Sequence, residues 1–284
     1  MKTGVTGATG QLGRIVIEKL KERVSSESIV ALVRTPQKAV DLGVETREFD
    51  YSKPDNLAIA LKGIDSLLLI SSNEIGQRAR QHKNVIEAAK GAGVKWIVYT
   101  SILHADTSTL SLAGEHLATE AALKESGIQY TVLRNGWYTE NYTRSVQGAI
   151  AAGAFLGSAG DGQISSAARA DYAEAAAVVL TGLNHQGKIY ELAGDEAYTL
   201  TDLAVEISRQ NGKELTYKNL PEIEYAGILK SIGMPEGYAN AIAGWDISAS
   251  RGDLFDNAHQ LSRLIGRPTT PLAKVVGISL TKPS

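Results

Sequence analysis

No stretch of the chain constrains its fold more than Thr6-Gly7-Ala8-Thr9-Gly10-Gln11-Leu12-Gly13. Gly7, Gly10 and Gly13 lack Cβ atoms, so the chain can turn sharply out of a strand, approach an anion closely and let the next helix pack against a sheet. The first N–H groups of such a helix have no partner within it and face whatever the turn encloses. The G-x-x-G-x-x-G spacing departs by one residue from the commoner G-x-G-x-x-G pattern. It predicts a pyrophosphate cradle, and so a dinucleotide. The alternative is a strand-to-helix turn that holds no ligand.

The segments on either side of the turn support the cradle. Residues 2–6 read as a short strand weakened by Thr3-Gly4, and 11–24 as a helix with Leu12, Ile15, Val16 and Leu20 on successive turns. Residues 28–34 are an almost continuous apolar run, as in a strand covered on both faces. Further strands are expected at 45–49, 64–70, 94–100 and 130–133, with helices at 54–62, 74–91 and 113–126 that stop at Gly63, Gly91 to Gly93 and Gly127. This alternation predicts an α/β fold: a doubly wound parallel Rossmann sheet with a smaller, mostly helical C-terminal lobe.

The expected division is 1–153 for the dinucleotide-binding domain and 154–284 for the smaller substrate-side lobe, with 188–194 returning to the main sheet. Residues 153–162, rich in glycine, read as a loop at the seam. Asp171 is the expected cap of a helix through 183, and Thr201 of one to 211. A strand at 214–219 returns in part to the main sheet, and the remainder is interrupted helix at 223–232, 238–247 and 258–265.

Composition removes several function classes. With 29 basic against 31 acidic residues the formal net charge is -2, so no basic field points to nucleic acid. The absence of cysteine excludes disulfides, thiolate nucleophiles and Cys-based metal centres, and suits a reducing cytoplasm. His82 has no H-x-H or H-E-x-x-H neighbour, so no metal is expected, and His185 and His259 read as surface residues. Ser71 and Ser101 lie outside any G-x-S-x-G context, against a hydrolase. No signal peptide or membrane span is expected, and a cytoplasmic protein is the default.

The end of the second strand selects the cofactor. An NAD site usually places a carboxylate there for the ribose 2′-hydroxyl. Here Arg34-Thr35-Pro36-Gln37-Lys38 puts a guanidinium near an ammonium, which suits a 2′-phosphate and favours NADPH. Asp50-Tyr51 either meets the adenine ring at the sheet rim or, through Asp50, caps the helix beginning near Pro54. Ser71-Ser72-Asn73 leaves the carboxyl end of the fourth strand, where open α/β sheets hold their ligands.

The segments G-A-T-G-Q-L-G, L-V-R-T-P-x-K, L-L-L-I-S-S, Y-T-S, H-x-x-T-E and Y-T-V-L-R-N-G-W-Y-T-E-N together resemble the NmrA-like group of atypical short-chain dehydrogenase/reductases. Within it the chain is similar to the bacterial type 2 NADPH:quinone oxidoreductases, and less closely to triphenylmethane-dye reductases. The resemblance runs almost end to end, through K-I-Y-E-L-A-G and L-S-R-L-I-G-R-P. It implies cofactor contacts from Gly7, Ala8, Thr9, Gly10, Gln11, Leu12, Arg34, Ser71, Ser72 and Asn73, and from Asn135, Gly136, Trp137, Tyr138, Thr139, Glu140 and Arg169. Trp137 and Tyr138 either wall the nicotinamide or pack a core.

One departure bears on mechanism. Ordinary short-chain dehydrogenases use a Tyr-x-x-x-Lys pair to exchange a proton with a carbonyl or alcohol oxygen. Counting back from Thr119-Glu120 and Ser126-Gly127, those positions hold Leu112 and His116. The resemblance therefore implies NADPH-dependent quinone reduction by direct hydride transfer, without flavin, in which either water can supply the proton or another group of the protein does. His104, His116 and Tyr138 are the candidates for positioning or proton assistance, with a structural role as the alternative for each histidine. Two other functions fit: reduction of other flat conjugated electrophiles such as triarylmethane or azo dyes, and a non-catalytic NADP(H)-binding sensor.

Overall fold

The computed structural model describes residues 1–281. The first half runs β1 (Thr3–Thr6), α1 (Gln11–Lys21), β2 (Ile29–Val33), β3 (Glu45–Glu48), α2 (Pro54–Ala60), β4 (Ser66–Leu69), α3 (Arg78–Ala92), β5 (Trp96–Ile102), α4 (Ala113–Ser126) and β6 (Gln129–Asn135). It continues with α5 (Thr139–Thr143), α6 (Val146–Ala152), β7 (Ala154–Gly157), α7 (Arg169–Thr181), β8 (Ile189–Leu192) and α8 (Leu200–Asn211). Then come β9 (Thr216–Asn219), α9 (Glu222–Ser231), α10 (Glu236–Ser250), α11 (Gln260–Ile265) and α12 (Leu272–Thr281).

The chain forms two compact units. The first comprises Met1–Asp106, Leu112–Asn135 and Arg169–Leu192, and the second Thr107–Ser111, Gly136–Ala168 and the described residues 193–281. Beyond the short excursion at Thr107–Ser111, the chain leaves the first unit after Asn135, not near residue 153, and comes back to it for α7 and β8.

The first unit is built on a seven-stranded sheet in the order β3-β2-β1-β4-β5-β6-β8, with every pairing parallel. β1, β2, β4 and β5 are buried along their whole length, as the apolar runs of β2, β4 and β5 require. Val30, Leu32, Leu67, Leu69, Ile97, Tyr99 and Val132 form one core with Leu57, Leu61, Val85, Ile86 and Ala89 of the segments around α2 and α3. Burial of each large apolar side chain is worth about 1.5–3 kcal/mol. Gly4, which weakens β1 as a sequence, has a packing reason: a Cβ there would lie 3.0 Å from Leu32 Cδ1 and 3.2 Å from Leu67 Cδ1. Strand order reverses between β1 and β4, and the carboxyl ends of these two strands open the crevice in which such sheets bind ligands.

Several local expectations are corrected. α3 begins at Arg78, because Gly76 takes a left-handed φ of 84° and breaks the helix expected from residue 74. Asp50 does not cap α2; its carboxylate accepts the Ser52 N–H at 3.0 Å, while Lys53 precedes the helix and Pro54 opens it. Asp171 lies buried inside the first turn of α7 and is not its cap. Thr199, not Thr201, caps α8, in a reciprocal box with Asp202.

The second unit contains the largest departure. The glycine-rich segment expected as a loop holds β7, which pairs in parallel with β9 in a separate two-stranded sheet. β9 therefore joins β7 rather than the main sheet. Small residues are required there: a Cβ on Gly157 would fall 2.7 Å from Asp246 Oδ2 and 3.0 Å from Leu200 Cδ1. α12, whose Val275 and Val276 are buried, had no counterpart in the sequence expectations.

Candidate active site

In the first unit the glycine turn lies between β1 and α1. Gly7 has φ 58°, and Gly10 N–H donates to Gly7 O at 2.8 Å. A Cβ on Gly13 would stand 2.3 Å from Gly7 O, so the turn closes only with glycine at that position. Gly7, Gly10 and Gln11 are exposed, and no side chain caps α1. Its first amides therefore present partial positive charge in the manner of an anion site. This is a cradle that fits a pyrophosphate.

Behind the cradle, Thr6 Oγ1 donates to Leu68 O at 3.0 Å and accepts the Ile70 N–H at 2.9 Å, tying β1 to the end of β4. Tyr51 is held here too: its hydroxyl donates to Ile70 O at 2.8 Å and touches Thr6 Oγ1, and burial raises its pKa. The phenol thus braces the strand ends.

Arg34 follows β2 with its side chain 66% exposed, and its Nη1 lies 3.2 Å from Glu74 Oε1. Lys38 is exposed in a 3-10 turn spanning Pro36–Leu42; its carbonyl accepts from Arg14 Nη2 at 2.8 Å, and Arg14 also pairs with Asp41. Both cations foreseen for a 2′-phosphate therefore reach solvent on the first unit.

The Ser71-Ser72-Asn73 segment is fixed by its backbone. Ser71 N–H donates to Thr100 Oγ1 and Ser72 N–H to His82 Nε2, each at 2.9 Å, while Asn73 is exposed. Ser72 Oγ is engaged by Gln81. Ser71 Oγ and Asn135 Oδ1 are buried with no hydrogen-bond partner among the described residues. Two unsatisfied polar atoms at the carboxyl ends of β4 and β6 are what a site awaiting a polar ligand would show.

Thr100, Gln81 and His82 were not among the sequence candidates. The available signal was a polar pair, Gln81 and His82, on the α3 face whose Val85, Ile86 and Ala89 mark it as buried.

The histidine candidates separate. His116 is buried; its Nδ1 lies 2.7 Å from Tyr99 OH, and burial with the nearby Arg78 charge pushes its pKa down to about 3. It is a neutral core residue at physiological pH and carries no acidic proton. His104 is half-buried at φ 51°, and its N–H donates to Glu191 Oε2 at 2.8 Å. Leu112, the counterpart of the missing tyrosine, is buried immediately before α4.

Close to these, Arg134 of β6 reaches Glu120 at 2.9 Å, Glu191 at 2.8 Å and Asp106 at 3.0 Å. Ser101 Oγ donates to the same Glu120 at 2.6 Å. The cluster ties β5, β6, β8 and α4 together at the carboxyl edge of the sheet. Arg169 opens α7 and is buried.

The other candidates lie in the second unit. Trp137 packs edge-on to Trp245 with ring centroids 5.6 Å apart, and Trp245 meets Tyr238 in the same way at 5.9 Å. The Ala167 N–H donates to Trp137 O at 3.1 Å, and the Thr139 N–H to Ala167 O at 3.0 Å. Thr139 Oγ1 is paired with Ser166 Oγ at 2.8 Å, and Glu140 lies in the first turn of α5. Gly136 is buried, while Trp137, Tyr138 and Glu140 are half-buried. Trp137 thus has a packing role in its own unit.

Residues 7–182 match the profile of the family described as NAD(P)H-binding. Quinone oxidoreductase 2 of Escherichia coli K12 is 57% identical over 275 residues, 96% of each chain. The crystal structure of the NADPH-dependent quinone oxidoreductase of Escherichia coli complexed with NADPH superimposes with a TM-score of 0.96 at 56% identity, covering 98% of this chain and 100% of that one. The triphenylmethane reductase of Citrobacter sp. complexed with NADP(H) gives 0.95 at 37% identity, covering 98% and 100%. An NmrA-like family domain-containing oxidoreductase of Aspergillus flavus is 30% identical over 95% of this chain and 92% of its own.

Proposed function

This chain belongs to the NmrA-like, NAD(P)H-binding family of oxidoreductases, and from that premise we infer that it is an NADPH-dependent quinone reductase. The observation that carries the reading is the 57% identity, over 96% of both chains, to a quinone oxidoreductase.

We assign the pyrophosphate to Gly7, Ala8, Thr9, Gly10, Gln11 and Leu12, and the 2′-phosphate to Arg34. Ser71, Ser72, Asn73, Asn135 and Arg169 are the further cofactor contacts we assign on the first unit, and Gly136, Trp137, Tyr138, Thr139 and Glu140 are those we assign, separately, on the second. Gly13 keeps the cradle tight, and the α1 amides stabilise the diphosphate charge. When bound, NADPH supplies a hydride to the quinone, with no flavin needed. A quinone that has accepted a hydride is an aromatic anion that water can protonate. The lack of an acid at Leu112 and His116 is therefore no obstacle, and positioning of the acceptor is the role we assign to His104 on the first unit and, separately, to Tyr138 on the second. No helix among the described residues is long and apolar enough to cross a membrane. The near-neutral charge and lack of cysteine support a cytoplasmic setting and a small-molecule partner rather than nucleic acid.

Stopped-flow mixing of flavin-free protein with NADPH and a simple benzoquinone tests the reading. Enzyme-dependent loss of NADPH is expected. A rate equal to the protein-free control, with NADPH still bound, would replace the enzyme by a dinucleotide sensor; a higher specificity constant for a triarylmethane dye would move the substrate class.

A further inference from the structure

Arg34 does not stand alone. Its Nη1 lies 3.2 Å from Glu74 Oε1, and the other carboxylate oxygen, Oε2, accepts from Gln81 Nε2 at 2.8 Å. Gln81 is only 2% exposed and is itself held: its Nε2 also donates to Ser52 Oγ at 2.9 Å, and its carbonyl oxygen accepts from Ser72 Oγ. The Glu74 N–H completes the network by donating to Ser72 Oγ at 3.2 Å. The carboxylate is thus anchored from behind by a buried amide, whereas the guanidinium it touches is mostly in solvent.

We propose that Glu74 is a specificity-determining residue that lowers the preference for NADPH over NADH. The proposal rests on the assignment of the 2′-phosphate to Arg34. Glu74 occupies one Nη1 donor that the phosphate would otherwise use, and holds a fixed negative charge beside the place where a dianion must settle. NADH carries no 2′-phosphate and is indifferent to both effects. Since Gln81 keeps the carboxylate in place, the conflict is not relieved by Glu74 swinging away. Arg34 supplies attraction, and Glu74 sets how much of it a 2′-phosphate realises.

Calorimetric titration of the flavin-free protein with NADP+ and with NAD+ separates the possibilities. Glu74→Gln is expected to tighten NADP+ by about three- to tenfold while leaving NAD+ within error, with Glu74→Ala moving in the same direction. Arg34→Ala is expected to collapse the difference between the two ligands. If Arg34→Ala discriminates but both Glu74 variants leave the NADP+/NAD+ affinity ratio unchanged or smaller, the role of Glu74 is overturned and that of Arg34 stands. If Arg34→Ala affects both ligands equally, the underlying assignment fails.

Discussion

The backbone N–H of Ser72 donates to Nε2 of His82 at 2.9 Å, which dictates the state of the ring. A nitrogen that accepts carries no proton, so the neutral imidazole is protonated at Nδ1. That N–H points to Thr119 Oγ1 at 2.9 Å, whose own hydroxyl donates to Glu115 O at 2.9 Å. A buried chain from α4 through α3 thereby holds the loop after β4.

Burial and the Arg78 charge push the His82 pKa from 6.5 down to about 3, and His116 is pushed to about 3 in the same way. Between those values the unfolded chain takes up protons that the folded chain refuses. Stability therefore falls as pH drops below about 6.5, by up to about 1.4 kcal/mol per pH unit for each ring. Urea unfolding at pH 7 and pH 5 should show this slope, and His82→Gln, which keeps an acceptor for Ser72, should reduce it.

Arg134 neutralises Glu120 and Glu191 at the carboxyl edge of the sheet. Arg134→Met should cost about 3–5 kcal/mol at pH 7, because it leaves carboxylates of low exposure facing one another. Arg134→Lys keeps a cation between the carboxylates and should cost less in the same urea unfolding experiment. Equal losses for the two variants would mean that lost packing, not charge, dominates.

In the second unit Asp246 accepts the Ser158 N–H at 2.8 Å, yet burial raises its pKa from 3.8 to about 6. The folded state here binds the proton more tightly than the unfolded state, so the group destabilises the fold as pH rises through this window. Asp246→Asn keeps an acceptor and should stabilise the protein at pH 7.5 by up to about 3 kcal/mol. The gain should disappear below about pH 4, as thermal melts across that range would reveal.

Gly13→Ala puts a methyl group 2.3 Å from Gly7 O and 2.7 Å from Ala8 Cα, backbone atoms that cannot turn aside. A loss of at least about 1–3 kcal/mol is expected, with loss of NADP+ binding. Gly91→Ala, in a helix with open space around the added Cβ, is the control and should be neutral or stabilising by up to about 1 kcal/mol.

Much was decided by local sequence. The glycine turn, the buried apolar runs of β2, β4 and β5, and the stops at Gly93 and Gly127, both left-handed, follow from backbone freedom and hydrophobic patterning alone. The place of Arg34 just beyond the second strand was legible from the apolar run that precedes it. Other features depend on which segments meet. Nothing within 153–162 says that Ala154–Gly157 will find Thr216–Asn219, because pairing partners far apart in sequence are selected by the surfaces they share. The Asp246 carboxyl becomes a weak acid, and His82 and His116 neutral donors and acceptors, only because folding removes water from around them. The sequence by itself determined the sheet, its dinucleotide turn and the cation beside it; tertiary structure decided the protonation states, the restraint of Arg34 by Glu74 and the separate sheet of the second unit, since desolvation and long-range pairing exist only in the folded chain.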